Sequence, residues 1–527
     1  MNCFASAGLP DEAYVSVRSK LIDETDGEID RPTRHRRKTN ENFIYVMAFC
    51  YVLLAGMLIY CGVNGPASGH RDNFEYGHFN NDPDSIWDDV MHQHLQLGST
   101  DMLYMVAFIL AIIMVTILLL RYFIGVFIWT MLVLGSLTAL GLTIVAWAVF
   151  FQVKNDSHGV ILLPLAATVV TFVIVFLIYA TRKRIQMIIQ VFKEASKAIG
   201  DMPQLFIQPA ISFVAFLVSA IGFSSLSTVV FKAGIKENGY FNPDDIVICT
   251  YIFLSWGGIW LTYFFKGCQS MVIGGTVATW YYRRDKSDLG SPMWRTTSNM
   301  LRYHMGTVAF GSLLMLLMEI IKSISDFFTK RKIARVCCCC CACICCMLNK
   351  CIKNFEEIIK YFTKMSYIMT AIHGVSFCTG CREGMILLLN HAFSLMQLKC
   401  FCKFVLGLLQ LIIVAIVIIV CRNIARPDSA DFVSVVSGIF AFFAANTFLS
   451  LYNIAIDTIF LCYCEDLAEN DGVSKPYFMS RELMCFMEDS KRTLSDIVRD
   501  MAGEVDMPGR VVRGHDDGPN APSMGPI

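Results

Sequence analysis

The sequence predicts an all-α, polytopic membrane bundle of about ten transmembrane helices with both termini cytosolic. Three observations carry this. Hydrophobic residues make up 55 % of the 527-residue chain and charged residues only 17 %, against about 25 % charged in an ordinary soluble domain. The apolar residues fall in unbroken blocks. Ile246–Phe265 runs twenty residues without a charge, long enough as a helix to cross the roughly 30 Å hydrocarbon core. The balance of 44 basic and 44 acidic residues argues against bulk nucleic-acid binding.

Residues 1–42 read as a disordered cytosolic tail without a cleavable signal peptide. The tail ends in Arg31, Arg34, Arg36, Arg37 and Lys38, and positive charge beside a first span holds that end inside. The transmembrane domain is expected over 43–463. Its first span is Phe43–Val63. The segment Asn64–Asp101 carries seven acids and one base, Arg71, so it faces outside. Spans follow at Met102–Leu120 and Phe123–Phe151, with Arg121 marking a tight cytosolic turn between them. The next span is Gly159–Thr181. After it, Arg182, Lys183, Arg184, Lys193 and Lys197 mark a cytosolic loop. Its Ile185, Ile188, Ile189 and Phe192 recur at helical spacing, as in a helix lying on the membrane surface. Leu205–Phe231 is the fifth span, Lys232–Asp245 fits the outside, and Ile246–Phe265 follows as the sixth.

Two topologies are then open. Cys268–Tyr282 is apolar but short, and either extends the preceding span or returns as a span of its own. Tyr303–Ile324 is a clear span with basic residues on both flanks. If Cys268–Tyr282 crosses, the cysteine-rich segment after it is cytosolic; otherwise it faces outside. Thirteen of the 22 cysteines lie between Cys337 and Cys402. Five adjacent thiols, Cys337, Cys338, Cys339, Cys340 and Cys341, suit a reduced, acylatable cytosolic segment better than a disulfide framework or a tetrahedral metal site. That favours the crossing. Phe355–Asn390 is weakly amphipathic and is a full span only in the other topology; Phe404–Val420 is a strong span, and Phe432–Tyr463 returns to the cytosol. Residues 464–527 form a charged, partly disordered cytosolic tail.

Within Ile246–Phe265, Trp256, Trp260 and Tyr263 share one helix face at mid-depth, away from the ends where belt aromatics belong. Gly257 and Gly258 lie between the indoles, where either a second helix approaches closely or the helix loosens. Trp280, Tyr281 and Tyr282 precede Arg283 and Arg284, the position of an interfacial belt or a gate. Glu319 is a carboxylate inside a span, a functional position by default, with Lys322 one turn on as its alternative partner. Tyr452 lies in the last span beside Asn446 and Asn453. Asp457 sits nearer the span end, where a structural role is favoured. Cys378 and Cys381 have C-x-x-C spacing without the βαβ context of a redox motif. His92 and His94 read as a solvated surface in an acidic loop. The acceptor pattern Asn155-Asp156-Ser157 marks a possible glycosylation site close to the membrane. No P-loop, G-x-S-x-G, H-E-x-x-H or G-x-G-x-x-G is present, so neither an enzyme nor a bound cofactor is expected.

Four segments, Gly275–Tyr282 (GTVATWYY), Ala309–Leu314 (AFGSLL), Tyr367–Cys378 (YIMTAIHGVSFC) and Cys464–Leu483 (CEDLAENDGVSKPYFMSREL), together resemble the choline transporter-like family of solute carriers. They stand in the family's order over roughly residues 205–485. The resemblance implies ten spans, cytosolic termini, a plasma-membrane location and movement of choline, with ethanolamine for some members. The family's long, glycosylated, cysteine-bearing first outer loop is missing here. Choline's quaternary ammonium has no proton to donate, so aromatic faces must hold it. Trp256, Trp260, Tyr263 and Tyr452, with Glu319 as counter-charge, are the expected substrate box of a carrier working by alternating access. A channel or lipid-handling protein on the same bundle is the competing class.

Overall fold

The computed structural model describes residues 36–64, 99–152, 162–234, 244–284, 286, 290–330, 339–389, 392–424, 430–470 and 478. Among them every regular element is helical. The α-helices are α1 (Asn42–Asn64), α2 (Ser99–Gln152), α3 (Leu162–Asp201), α4 (Ile207–Ala233), α5 (Asp245–Tyr282), α6 (Pro292–Asn299), α7 (Met305–Lys330), α8 (Cys339–His373), α9 (Phe377–Leu389), α10 (Ala392–Ile424) and α11 (Ala430–Glu469). A 3-10 turn at Pro203–Phe206 precedes α4, and a π-helical turn at Met300–His304 joins α6 to α7. Among the described residues, seven helices are long and apolar enough to cross a membrane, and two shorter apolar stretches lie at Tyr104–Leu120 and Leu163–Phe176.

Two expected boundaries vanish into longer helices. The tight turn at Arg121 does not form: α2 continues through it for 54 residues. One charge does not break a helix, and no Gly or Pro stands between Met102 and Phe123. The buried stripe Ile109, Ile113, Ile117, Leu120, Ile124 and Ile128 also keeps helical phase across the arginine. Likewise α3 carries the fourth span and the following basic segment as one helix of 40 residues. It stops only at Asp201, ahead of Pro203, whose ring opposes helix at the residue before it. Ile185, Ile189 and Phe192 are buried in the bundle core, not laid on a membrane surface. Thr143 and Thr171 join α2 to α3 through their hydroxyls at 2.8 Å.

Cys268–Tyr282 is no separate span but the second half of α5, a 38-residue helix that begins at Asp245. Small residues seat it against its neighbours. A Cβ on Gly267 would stand 2.8 Å from Val308 Cγ1 of α7, and one on Gly274 would stand 2.9 Å from Ile368 Cγ1 of α8. Such seams let helix backbones approach closely. α7 and α8 run antiparallel, as the Asp326–Lys353 and Lys322–Glu356 pairs near one end and Tyr367 on the Val308 carbonyl towards the other require. The start of α8 at Cys339 therefore lies at the bundle end opposite Tyr282. Cys337 and Cys338 lie outside the described residues, as do Asn155, His92 and His94.

Residues 36–41 are docked, although the sequence assigns them to a disordered tail. Thr39 N–H donates to the Tyr303 carbonyl at 2.9 Å, and Arg36 Nη2 donates to the Ala371 carbonyl at 2.6 Å. Asn470 Nδ2 donates to Asp466 Oδ1, and Asp466 Oδ2 accepts from the Tyr281 hydroxyl. His373 Nε2 lies 2.9 Å from Glu465. Arg36 and Asn470 thus share one end of the bundle.

Candidate functional site

The expected aromatic box is only partly assembled. Trp260 on α5 is buried, and its indole N–H donates to Ser312 Oγ of α7 at 3.0 Å. Tyr51 of α1 stacks on it, with ring centroids 6.2 Å apart and 29° between planes. The Tyr51 hydroxyl donates to the Gly257 carbonyl at 2.7 Å. The helices are tight here: a Cβ on Gly257 would stand 3.3 Å from Leu54 of α1. A Cβ on Gly258 would meet the Phe223 ring of α4 at 3.4 Å. Gly257 therefore lies in a tight approach to α1, whereas a Cβ on Gly258 would make only an ordinary van der Waals contact.

One turn on, the Tyr263 hydroxyl donates to Glu319 Oε2 at 3.3 Å. Glu319 also pairs with Lys322, which reaches on to Glu356, and Glu356 meets Lys360. Lys266 Nζ stands 5.9 Å over the Tyr263 ring. The site thus has a carboxylate, a phenol and an indole between α5 and α7, with Tyr51 closing the α1 side. Trp256 does not join them: it is 39 % exposed. Tyr452 lies in a different apolar cluster, its hydroxyl donating to the Ile117 carbonyl of α2. Tyr51 is the member sequence reasoning missed. It stands within the first apolar block, with no spacing pattern to single it out.

A second constellation lies at the end that holds Arg36 and Asn470. Trp280, Tyr281 and Tyr282 are buried, not set in a lipid-facing belt. Trp280 Nε1 donates to Asp201 Oδ2 at 3.0 Å, Tyr281 to Asp466 Oδ2 at 3.1 Å, and Tyr282 to Glu465 Oε2 at 2.8 Å. Phe478 packs edge-on against Tyr282, and its N–H donates to Asp466 Oδ2. The belt expectation fails because each polar ring atom finds a protein carboxylate, which turns the rings inward. Two of the sequence segments singled out above, GTVATWYY and CEDLAEN, are therefore halves of one clamp. Their matched aromatics and acids were the available signal.

Lys286 caps this clamp. Its Nζ lies 4.3 Å over the Trp280 ring and donates to the Trp280 and Tyr281 carbonyls. Burial pushes its pKa down to about 8, although Glu194 and Asp201 pull upward. The unfolded lysine, at 10.5, then binds a proton that the folded one lacks between those values. Stability is expected to rise with pH through that window. Thermal unfolding at pH 7.5 and 9.5 checks this, and Lys286→Met should flatten the dependence.

The long apolar helices, small-residue seams and inward-facing polar groups define a multi-pass membrane protein. A family profile described as plasma-membrane choline transporter matches residues 165–468, and the chain belongs to that family. Choline transporter-like protein 1 of Torpedo marmorata is 30 % identical over 425 residues, covering 75 % of this chain and 65 % of the relative. The protein of the same name from Xenopus laevis is 28 % identical over 417 residues, covering 73 % and 63 %. Choline transporter-like protein 2 of Dictyostelium discoideum is 28 % identical over 338 residues, covering 62 % and 54 %. The match spans less than two thirds of the length of these relatives.

Proposed function

We propose that the protein is a carrier that moves choline, or a close cation such as ethanolamine, across the plasma membrane by alternating access. The observation that carries this is the Tyr51–Trp260 ring pair beside the Tyr263–Glu319 hydroxyl–carboxylate pair, on a chain of the choline transporter family. A quaternary ammonium takes ring faces for its methyl shell and one carboxylate for its charge. The end holding Arg36 and Asn470 is read as cytosolic, with Trp280, Tyr281 and Tyr282 as its closure. The opposite end, where α8 begins, is then outside, which argues against acylation of the Cys337–Cys341 run.

Radiolabelled choline uptake into proteoliposomes tests this reading, with ethanolamine as competitor and sodium varied. Saturable uptake competed by small quaternary cations is expected. Unsaturable flux at channel rates would favour the competing class. Glu319→Gln, with surface expression intact, is expected to raise the KM for choline about tenfold, equivalent to ~1.4 kcal/mol. An unchanged KM would remove Glu319 from the site.

A further inference from the structure

Two irregular backbone features lie at the bundle end that holds Arg36 and Asn470, and one short strap joins them. α8 ends at His373, with Gly374 at φ +71°, and α9 starts four residues later at Phe377. The π-turn Met300–His304 is tied to the end of α8 through Arg36, which bonds both His304 and the Ala371 carbonyl, and such turns recur at functional sites. The strap, residues 36–41, binds both. Arg36 donates to the Thr370 and Ala371 carbonyls at the C-terminal end of α8, where a cation suits the helix dipole. Asn40, itself at φ +52°, accepts from the Phe377 N–H with Oδ1 at 3.0 Å and so caps the start of α9. Thr39 N–H donates to Tyr303 of the π-turn.

A directional hydrogen-bond chain links the two strap residues through α7. Arg36 can only donate, so His304 Nε2 accepts from Arg36 Nη1 at 3.1 Å and Nδ1 carries the proton. Nδ1–H then donates to Thr39 Oγ1 at 2.8 Å, Thr39 to Thr307 Oγ1 at 2.6 Å, and Thr307 to Asn40 Oδ1 at 3.3 Å. Gly306 leaves the space: a Cβ there would lie 2.2 Å from the Asn40 carbonyl oxygen. Such bonds exchange readily for water, unlike an apolar seam. In transporters, interrupted helices are the elements that line sites and move.

We propose that Arg36, Thr39 and Asn40 form a latch that holds the broken helix α8–α9 against α7, and that each transport cycle releases it. This rests on the carrier reading above and assigns positioning residues for it. Thr39→Cys/Thr307→Cys places two thiols where hydroxyls are now 2.6 Å apart. Oxidation with copper phenanthroline should cross-link them and lower choline flux at least tenfold, with recovery in dithiothreitol. Each single variant should ignore the oxidant. A verified cross-link with unchanged flux, or no cross-link at all, overturns the latch.

Labelling of Thr39→Cys by a maleimide, followed on its own peptide by mass spectrometry, gives a second readout. It should quicken when choline is turned over, a change that a static structural contact would not show. Adding Gly306→Ala should quicken it without substrate. Slow labelling in both conditions overturns the proposal even if the double-cysteine variant fails to fold. Absence of choline flux in the unmodified chain would instead refute the carrier reading, while the Gly306→Ala labelling arm still tests the latch.

Discussion

Asp457→Ala is expected to unfold the bundle at a markedly lower temperature. Asp457 on α11 is 1 % exposed. Its Oδ2 pairs with Lys364 of α8 at 2.6 Å and with Lys399 of α10. Lys399 also lies 4.4 Å over the Tyr361 ring. One carboxylate therefore ties three helices together. Removing it leaves two largely buried ammonium groups facing each other without a counter-charge, and breaking a buried pair from one side costs about 3–5 kcal/mol. Asp457→Asn keeps the shape but not the charge, so it should fall between alanine and the unmodified chain. The combined variant Asp457→Leu, Lys364→Met, Lys399→Met removes all three charges and should regain most of the loss. Thermal unfolding in detergent, followed by tryptophan fluorescence, ranks the four proteins. An Asp457→Ala chain as stable as its parent would show that the triad contributes nothing.

Trp260→Ala carries the other large effect, on transport. The indole is fixed on one edge by Ser312 and covered on one face by Tyr51, so its position is set before any substrate arrives. A desolvated ring face is worth about 2 kcal/mol or more to a bound cation, roughly a 30-fold rise in KM at ~1.4 kcal/mol per decade. Trp260→Phe retains a face but loses the bond to Ser312, and should recover part of the affinity. Trp256→Ala, at an exposed position, should leave KM unchanged. The contrast between two tryptophans one turn apart separates substrate binding from general packing. Equal KM for Trp260→Ala and the unmodified chain would remove the indole from the site.

Much of the fold was legible because lipid simplifies the code. Among the described residues the apolar blocks became helices, and the glycine at 257 announced a close neighbour. Helix ends were less legible where no Gly or Pro marks them. Arg121 looked like a turn because charge was read as punctuation, yet the isoleucine stripe on either side is in phase and overrides it. The α5 extension was ambiguous for a similar reason: its glycines resemble breaks until the side chains of α7 and α8 are seen filling them. The site was half legible. Spacing along one helix put Trp256, Trp260 and Tyr263 on a common face, but one face of a long helix meets different surroundings from turn to turn. Contacts between distant segments, such as Tyr51 on Trp260 or Arg36 on Ala371, leave no periodic trace. The basic run at residues 31–38 was read only as a topology signal, although one member is a structural anchor.

The unbroken course of α5 has a mechanical consequence. Trp260 and Tyr282 are 22 positions apart on it, about 33 Å of helix, with the seams at Gly267 and Gly274 between them. A rod of that kind does not absorb a tilt locally. Displacing the ring clamp on Glu465 and Asp466 therefore carries the far Tyr51–Trp260 contact with it, so the two ends of the helix are coupled as a single lever.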